Sequence, residues 1–201
     1  RNEGLQYEKG RGGKEKNEHE AGRLYMLAAE RGDGIAQYRL AGMYLEGRGV
    51  KQSNENAEKW MRLSAKQGNM KAQYSLSLMH HTRKTNIKSG RDEKSFENML
   101  AAAEQGHVLA QYNVALMFEQ GRGVSSDQPR AAQWYRRCAD QEYAPAQYKL
   151  GLMYRQGRGV VQDDIEAKKW FQLAANQGYL HAQQKLNHFS SSSLIQRSLY
   201  R

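Results

Sequence analysis

The sequence predicts an all-α fold, a solenoid built from antiparallel helix pairs. A short phrase recurs five times, in steps of 36 or 38 residues: Ala36-Gln37-Tyr38, Ala72-Gln73-Tyr74, Ala110-Gln111-Tyr112, Ala146-Gln147-Tyr148 and Ala182-Gln183-Gln184. A fixed period of this length is typical of stacked helical repeats, in which each helix pair buries its apolar face against its neighbours. The 201 residues include only two prolines, so the composition also permits long helices.

The first helix of each repeat is predicted from apolar residues spaced i, i+4 and i+8. Ala36, Leu40 and Tyr44 have this spacing, which places them on one face of a helix. Small residues recur at the register of positions 41, 77, 115 and 151, where two helices are expected to approach closely. A Gly-Arg-Gly-Val sequence follows at 47–50, 121–124 and 157–160, and its first glycine is expected to end the helix in the left-handed conformation.

The second helix of each repeat has predicted boundaries at both ends. Good N-cap residues recur in one register, at Asn17, Ser53, Asp127 and Asp163. The helix is expected to end at a glycine in the register of Gly32, Gly68, Gly106 and Gly178. Glu142 occupies that register in the fourth copy, and glutamate is a poor residue for positive φ. The sequence therefore predicts a turn at Glu142 that is either strained or built differently.

Residues 146–178 contain nearly the whole repeat pattern. It runs Ala-x-x-x-Leu-Gly-x-Met-Tyr-x-x-Gly-x-Gly-Val and then Asp-x-x-x-Ala-x-x-Trp-x-x-x-Ala-Ala-x-x-Gly. This pattern resembles the Sel-one-like repeat (SLR), a relative of the tetratricopeptide repeat, and the resemblance covers about residues 5–189. It implies a right-handed superhelix of antiparallel helix pairs whose members act mainly as adaptors for protein complexes. Some bacterial members work outside the cytoplasm, so the resemblance alone favours a periplasmic or secreted location.

The predicted domain organisation is a single array with a short tail. Residues 1–189 are expected to form about four helix pairs with truncated ends, and residues 190–201 a serine-rich link and a short closing segment. The chain starts partway through a repeat, because Tyr7-Glu8-Lys9-Gly10 matches a helix end in later copies. We interpret it as a mature or trimmed product. No apolar run approaches the length needed to cross a bilayer.

Net charge indicates the kind of partner. The chain carries 31 Lys and Arg residues against 21 Asp and Glu, a formal charge of +10, with the excess concentrated over residues 32–94. Such a field favours acidic partners. Basic residues recur on one stripe of the first helices, at Arg39, Lys149 and Lys185. This stripe is expected to line a basic concave groove that binds an acidic protein partner; the alternative is a merely solvated face.

Residues 80–98 depart from the repeat. The Gly-x-Gly-Val loop is replaced there by Arg83-Lys84-Thr85-Asn86, and two residues are inserted. The basic residues Arg83, Lys84, Lys88 and Arg91 belong to this segment. Two interpretations stay open: a drifted, solvated loop, or a protruding basic loop that contacts the partner.

Candidate catalytic and ligand-binding motifs are missing from the sequence. Gly47-Arg48-Gly49 lacks the spacing of a phosphate-binding loop, and the adjacent His80 and His81 would point about 100° apart on a helix. Cys138 occupies the register of Ala28 and Ser64, which favours a packed helix residue over a reactive thiol. The sequence predicts a non-enzymatic module with no catalytic residue, metal, cofactor or small-molecule substrate.

Two other functions are compatible with the sequence besides binding to an acidic protein. One is an immunity-type inhibitor that neutralises a secreted toxic effector, which follows from the resemblance alone. The other is binding of nucleic acid or another polyanion, which the charge allows. It is disfavoured because most tyrosines and tryptophans occupy repeated core positions, where they are poorly placed to stack on bases.

Overall fold

The computed structural model describes residues 1–82 and 90–187, which are helical with short connecting turns and include no strand. The helices are α1 (Asn2–Lys9), α2 (Glu18–Glu30), α3 (Gly34–Glu46), α4 (Asn54–Lys66), α5 (Met70–Thr82), α6 (Gly90–Glu104), α7 (Val108–Gln120), α8 (Gln128–Ala139), α9 (Ala144–Gln156) and α10 (Asp164–Asn176). An eleventh helix, α11, begins at residue 180 and is described to residue 187. The predicted closing segment over 190–201 lies outside the described residues.

The chain divides into two compact units, unit 1 (Arg1–His107) and unit 2 (Val108–Arg201). In unit 1, α1 through α6 pack against one another in chain order, and in unit 2, α7 through α10 do the same. Apart from α5 and α6, whose connection lies outside the described residues, short turns join the successive helices of each unit, which therefore run antiparallel. Each unit is therefore a stack of helix hairpins, as the period of the sequence predicts.

The predicted apolar face of the first helices forms the core. Ala36 and Leu40 of α3 are fully buried, and Tyr44 is half-buried against the same core. Met43, which the predicted spacing leaves out, is also fully buried, as are Ala146 and Met153 of α9. The small residue expected at position 151 is required by packing, because a Cβ on Gly151 would lie 2.7 Å from the ring of Phe171. The predicted close approach of two helices is thus confirmed at this position.

The predicted N-caps are confirmed in all four copies. Asn17, Ser53, Asp127 and Asp163 each accept a hydrogen bond from a backbone amide of the helix that follows. Their own backbone amides donate to carbonyl oxygens of the preceding helix, on Tyr7, Tyr44, Phe118 and Tyr154, at 2.9–3.0 Å. Each cap residue therefore satisfies a free backbone amide at the start of one helix and bonds that helix to the preceding one.

The second glycine of the Gly-Arg-Gly loops lies against the neighbouring repeat. Gly49 has φ of 64° and Gly159 has φ of 69°. A Cβ on Gly49 would lie 2.0 Å from the carbonyl oxygen of Glu18, and one on Gly159 would lie 2.2 Å from that of Gln128. Both the backbone conformation and this close approach require glycine.

Glu142 adopts the strained alternative that the sequence allowed. Its φ is 62°, and its amide donates to the carbonyl of Ala139 just as the amide of Gly178 donates to Ala175. We expect Glu142→Gly to raise the free energy of unfolding by about 1 kcal/mol, because a side chain in the left-handed region costs roughly that much. Urea unfolding measures the change. Glu142→Ala is the control and should give no such gain; a Glu142→Gly variant no more stable than wild type would contradict the strain.

Candidate functional site

The glutamine of each Ala-Gln-Tyr phrase joins helices rather than contacting solvent. Gln37 is buried, and its Nε2 donates to the carbonyl oxygen of Ala29 at 3.1 Å. Its Oε1 accepts from Nε2 of Gln67 at 2.9 Å. Gln147 makes the same two bonds, to Ala139 and from Gln177. We call this chain of bonds the glutamine ladder; it binds successive repeats within each unit.

Unit 1 contains a cleft of about 810 Å³ between the first turns of α3 and α5. Exposed apolar side chains line it, with Ile35 48% and Met70 37% exposed. Tyr38, Arg39 and Lys71 contribute an aromatic ring and two positive charges to the same wall. The cleft is therefore both apolar and basic, a combination typical of a surface that binds another molecule.

Arg1 and Asp33 also line this cleft, and they neutralise each other. Their side chains form an ion pair at 3.2 Å. Lys71 is exposed and has no ion-pair partner among the described residues. Lys71 is thus the cleft cation whose charge is available to a ligand. The sequence pattern gave no signal for Lys71, because the other copies carry apolar, proline or histidine residues at the same register of the repeat.

Arg39, a predicted contact residue, is held by a carboxylate from the preceding repeat. Its Nη1 lies 3.1 Å from Oε2 of Glu8, which also accepts a 2.7 Å hydrogen bond from the hydroxyl of Tyr25. Arg48 lies 3.6 Å from the other carboxylate oxygen of Glu8. Arg39 therefore lines the cleft, while much of its charge is neutralised by a half-buried partner.

Lys149, the second predicted contact, lies in a matching cluster of unit 2. Its Nζ is 3.1 Å from Oε2 of Glu119, whose side chain is only 10% exposed. The hydroxyl of Tyr135 donates to the same oxygen at 2.7 Å, and Arg158 lies 3.1 Å from Oε1. We call these four residues the Glu119 cluster. Its arrangement makes Lys149 part of the contact between repeats as well as a surface cation.

The contacts made by Glu8 and Glu119 depend on a pair of residues that only some repeats contain. Glu8 and Glu119 stand two residues before the helix-ending glycine, where the other repeats carry Leu45 and Arg155. The tyrosine that donates to the glutamate is replaced in those repeats by a methionine or a phenylalanine, which have no hydroxyl. Carboxylate and hydroxyl therefore occur together or not at all in these four copies. The sequence alone therefore contained a signal for the contacts of these two glutamates.

The Glu119 cluster predicts a loss of stability in acid. Burial raises the pKa of the Glu119 carboxyl, but hydrogen bonds from Tyr135 and Lys149 and the charge of Arg158 outweigh it, so the pKa lies below its ordinary 4.5. A carboxyl with a lowered pKa stabilises the fold above its unfolded value and loses that contribution as pH falls through the folded value. Between about pH 6 and about pH 3, urea unfolding should show a larger loss for wild type than for Glu119→Gln. Equal losses would contradict the prediction.

The remaining predicted contacts are less fully described. Lys185 lies in α11 and has no ion-pair partner within the described part of the chain. Arg83, Lys84 and Lys88 lie outside the described residues, and Arg91 is in the first turn of α6. The prediction that these residues contact a partner stays a prediction.

Cys138 is a buried helix residue, as its register predicts. Its Sγ donates to the carbonyl oxygen of Val108 at 3.3 Å, which matches the bond from Ser64 Oγ to Gly34. Burial raises the pKa of the thiol to about 12, so the reactive thiolate is scarce at neutral pH. Across residues 1–82 and 90–187, no three His, Cys, Asp or Glu side chains cluster so as to hold a metal ion. None of the described helices is long and apolar enough to span a bilayer.

Comparison with protein families identifies the repeat. The family model described as Sel1 repeat matches residues 4–33, 34–69, 71–107, 108–143 and 144–179. These five segments cover most of the chain. A search of curated proteins returned no match.

Solved structures share the fold. A protective antigen present in uropathogenic Escherichia coli strains, described as displaying an SLR fold, is 33% identical with a TM-score of 0.86, over 95% of this chain and 40% of that one. A Sel1 repeat protein from Oxalobacter formigenes is 36% identical with a TM-score of 0.77, over 87% of this chain and 50% of that one. The chain thus spans half or less of these relatives. Helicobacter pylori cysteine-rich protein B, 23% identical with a TM-score of 0.51 over 68% of this chain and 97% of that one, shows the fold alone.

Proposed function

The chain belongs to the Sel1 repeat family, and from this premise we propose that it is a non-enzymatic module that binds an acidic protein partner. Repeats of this family form α-solenoids that mediate protein–protein interaction, and the family is generally non-enzymatic. The acidity of the partner and the location of the contact surface are the parts specific to this chain.

The unit 1 cleft is the observation that carries the proposal. It combines exposed Ile35 and Met70 with the cations Arg39 and Lys71. Asp33, the one carboxylate among the described residues that line it, is already paired with Arg1. Apolar side chains provide the area that a partner buries, and unpaired positive charge selects an acidic partner and speeds its association. A preformed cleft also lowers the ordering cost of binding.

In unit 2, we assign the partner contact to Lys185 rather than to Lys149. Lys149 is committed to the Glu119 cluster, whereas Lys185 has no ion pair among the described residues. Arg39 and Lys149 contribute positive potential at fixed positions, but their loss would also disturb the fold. The basic residues Arg83, Lys84, Lys88 and Arg91 are proposed as additional contacts on charge alone.

The described side chains also support binding over the alternatives. The thiol of Cys138 is buried and protonated, so it is poorly suited to act as a nucleophile. Trp60 and Trp170 are 8% and 7% exposed, which leaves these rings unavailable to stack on bases.

Site-directed photo-cross-linking tests the proposal. A benzophenone side chain is placed at Met70, inside the cleft, and in a matched control at Ile165, which is 72% exposed on α10. Both variants are incubated in nuclease-treated native extract, irradiated, and their adducts identified by mass spectrometry. We expect one acidic protein to be cross-linked at position 70, in an amount that falls with added salt and with Lys71→Glu.

The possible outcomes separate the functions. The same adducts at both positions, or a position 70 adduct that Lys71→Glu leaves unchanged, would overturn the proposed surface. An adduct that forms in a parallel sample of untreated extract and is absent after nuclease treatment would point to nucleic acid. A stoichiometric partner that is toxic when expressed alone would identify an immunity-type inhibitor.

A further inference from the structure

Aromatic rings pair at the junctions between repeats. The tyrosine of an Ala-Gln-Tyr phrase meets a ring from the turn before the next first helix. Tyr74 stacks on His107 with centroids 4.6 Å apart, and Tyr148 meets Tyr179 at 5.4 Å. Tyr112 meets Tyr143 at 5.3 Å. Ring pairing is thus a regular part of three junctions.

Tyr38 is the exception. The position that corresponds to Tyr179 is Asn69, whose Oδ1 caps α5 by accepting from the amides of Lys71 and Ala72 at 3.1 and 3.2 Å. Among the described residues, Tyr38 has no aromatic partner; its ring is half-buried, and one side packs on the core of unit 1.

One junction of unit 2 contains a second ring. In unit 2, His181 also contacts Tyr148, with centroids 6.0 Å apart. The residue at the matching position of unit 1 is Lys71. Two rings of unit 2 are therefore replaced by an amide and an ammonium group. The unit 1 cleft lies where those rings would be, since Tyr38, Asn69 and Lys71 all line it.

We propose that this cleft binds an aromatic side chain of the acidic partner, with its ring against Tyr38 and an adjacent carboxylate against Lys71. Aromatic rings favour offset or edge contacts of the kind seen at the other junctions. Lys71 provides the charge because Arg39 is already bound to Glu8. A buried aromatic anchor beside a charge-assisted contact is typical of the residues that dominate binding energy. The inference rests on the proposed function and names the chemistry of the ligand.

Short blocked peptides of defined composition test it. The probe is fluorescein-labelled Glu-Trp-Glu-Trp-Glu, and the controls are Glu-Ala-Glu-Ala-Glu and Lys-Trp-Lys-Trp-Lys. Fluorescence anisotropy at low salt should show the probe binding to the full chain at least tenfold more tightly than either control. Equal affinity for the tryptophan and alanine peptides would overturn the aromatic site.

Matched variants locate the binding. Asn69→Tyr restores the ring found in unit 2 and should weaken probe binding at least tenfold. Asn69→Ala loses the same helix cap without filling the cleft, so it separates the two effects and should bind the probe at least tenfold more tightly than Asn69→Tyr does. If Asn69→Tyr fails to fold by circular dichroism, Asn69→His, which copies His107, replaces it. Wild-type affinity in the filled variant would overturn the site.

The two proposals fail in different ways. A cross-link from position 70 to an acidic protein, together with no preference for the tryptophan peptide, would leave the proposed function standing and remove the aromatic anchor. A tryptophan preference that Asn69→Tyr abolishes supports the anchor through a measurement independent of the extract.

Discussion

Lys149→Glu should lower the free energy of unfolding by about 3 kcal/mol, because it breaks a nearly buried ion pair and adds a like charge. The new carboxylate would lie beside Glu119, whose side chain is 10% exposed and holds Lys149 at 3.1 Å. Arg158 and Tyr135 would remain as its only partners in the Glu119 cluster. Urea unfolding followed by circular dichroism measures the loss.

Lys185→Glu is the matched control. It makes the same change of charge at the same repeat register, in the same unit, but at a lysine with no ion pair among the described residues. We expect its stability to stay within about 0.5 kcal/mol of wild type. Similar losses in both variants would mean that net charge, rather than the Glu119 cluster, sets the effect. For the same reason Arg39→Glu and Lys149→Glu are poor probes of partner binding.

Gly159→Ala should also cost about 3 kcal/mol or more, since it combines left-handed strain with overpacking against backbone. Its Cβ would lie 2.2 Å from the carbonyl oxygen of Gln128, so the loop would have to move away from the first turn of α8. Thermal unfolding and urea titration of the purified variant would each report the loss.

Gly178→Ala separates the two causes of that loss. Gly178 has φ of 81°, but a Cβ there would meet no heavy atom within 4 Å. It should therefore cost only the left-handed penalty, about 1 kcal/mol. If Gly159→Ala were no worse than Gly178→Ala, the close contact between the loop and α8 would be refuted as a source of stability.

Much of the fold could be predicted from the sequence because local chemistry determines it. The caps at Asn17, Ser53 and Asp127 use side chains whose role depends on the next three residues only. The same holds for the glycines that end helices. Glu142 shows the limit of this reasoning: its register predicted the problem, but only the backbone shows that the turn keeps its left-handed form.

The candidate site was harder to predict because its contacts join different columns of the repeat. Arg39 and Lys149 are basic residues at one register of the repeat, whereas their partners Glu8 and Glu119 stand at another register, one repeat earlier. A comparison of the copies at a single register of the repeat cannot reveal such a pair. A comparison between registers does reveal the glutamate contact, since glutamate and its tyrosine donor occur together in these repeats.

The cleft was also hard to predict, because it results from a contact that this junction lacks. Asn69 and Lys71 look like ordinary polar residues at a helix start, and nothing local marks them as a site. Their importance comes from the ring that pairs with the tyrosine at the other three junctions and is lacking at this one. A missing contact is visible only by comparison with the regular contact at the other junctions of the molecule.

The glutamine ladder has an evolutionary consequence. Gln37 and Gln147 each donate one hydrogen bond and accept another from equivalent partners, so their two junctions are interchangeable in this hydrogen bonding. Duplication or deletion of a complete 36-residue segment would regenerate a satisfied junction, whereas a partial segment would leave buried amides unpaired. Such a gene can lengthen or shorten its product in whole repeats, while clefts like the one beside Tyr38 arise by point substitution within a single copy.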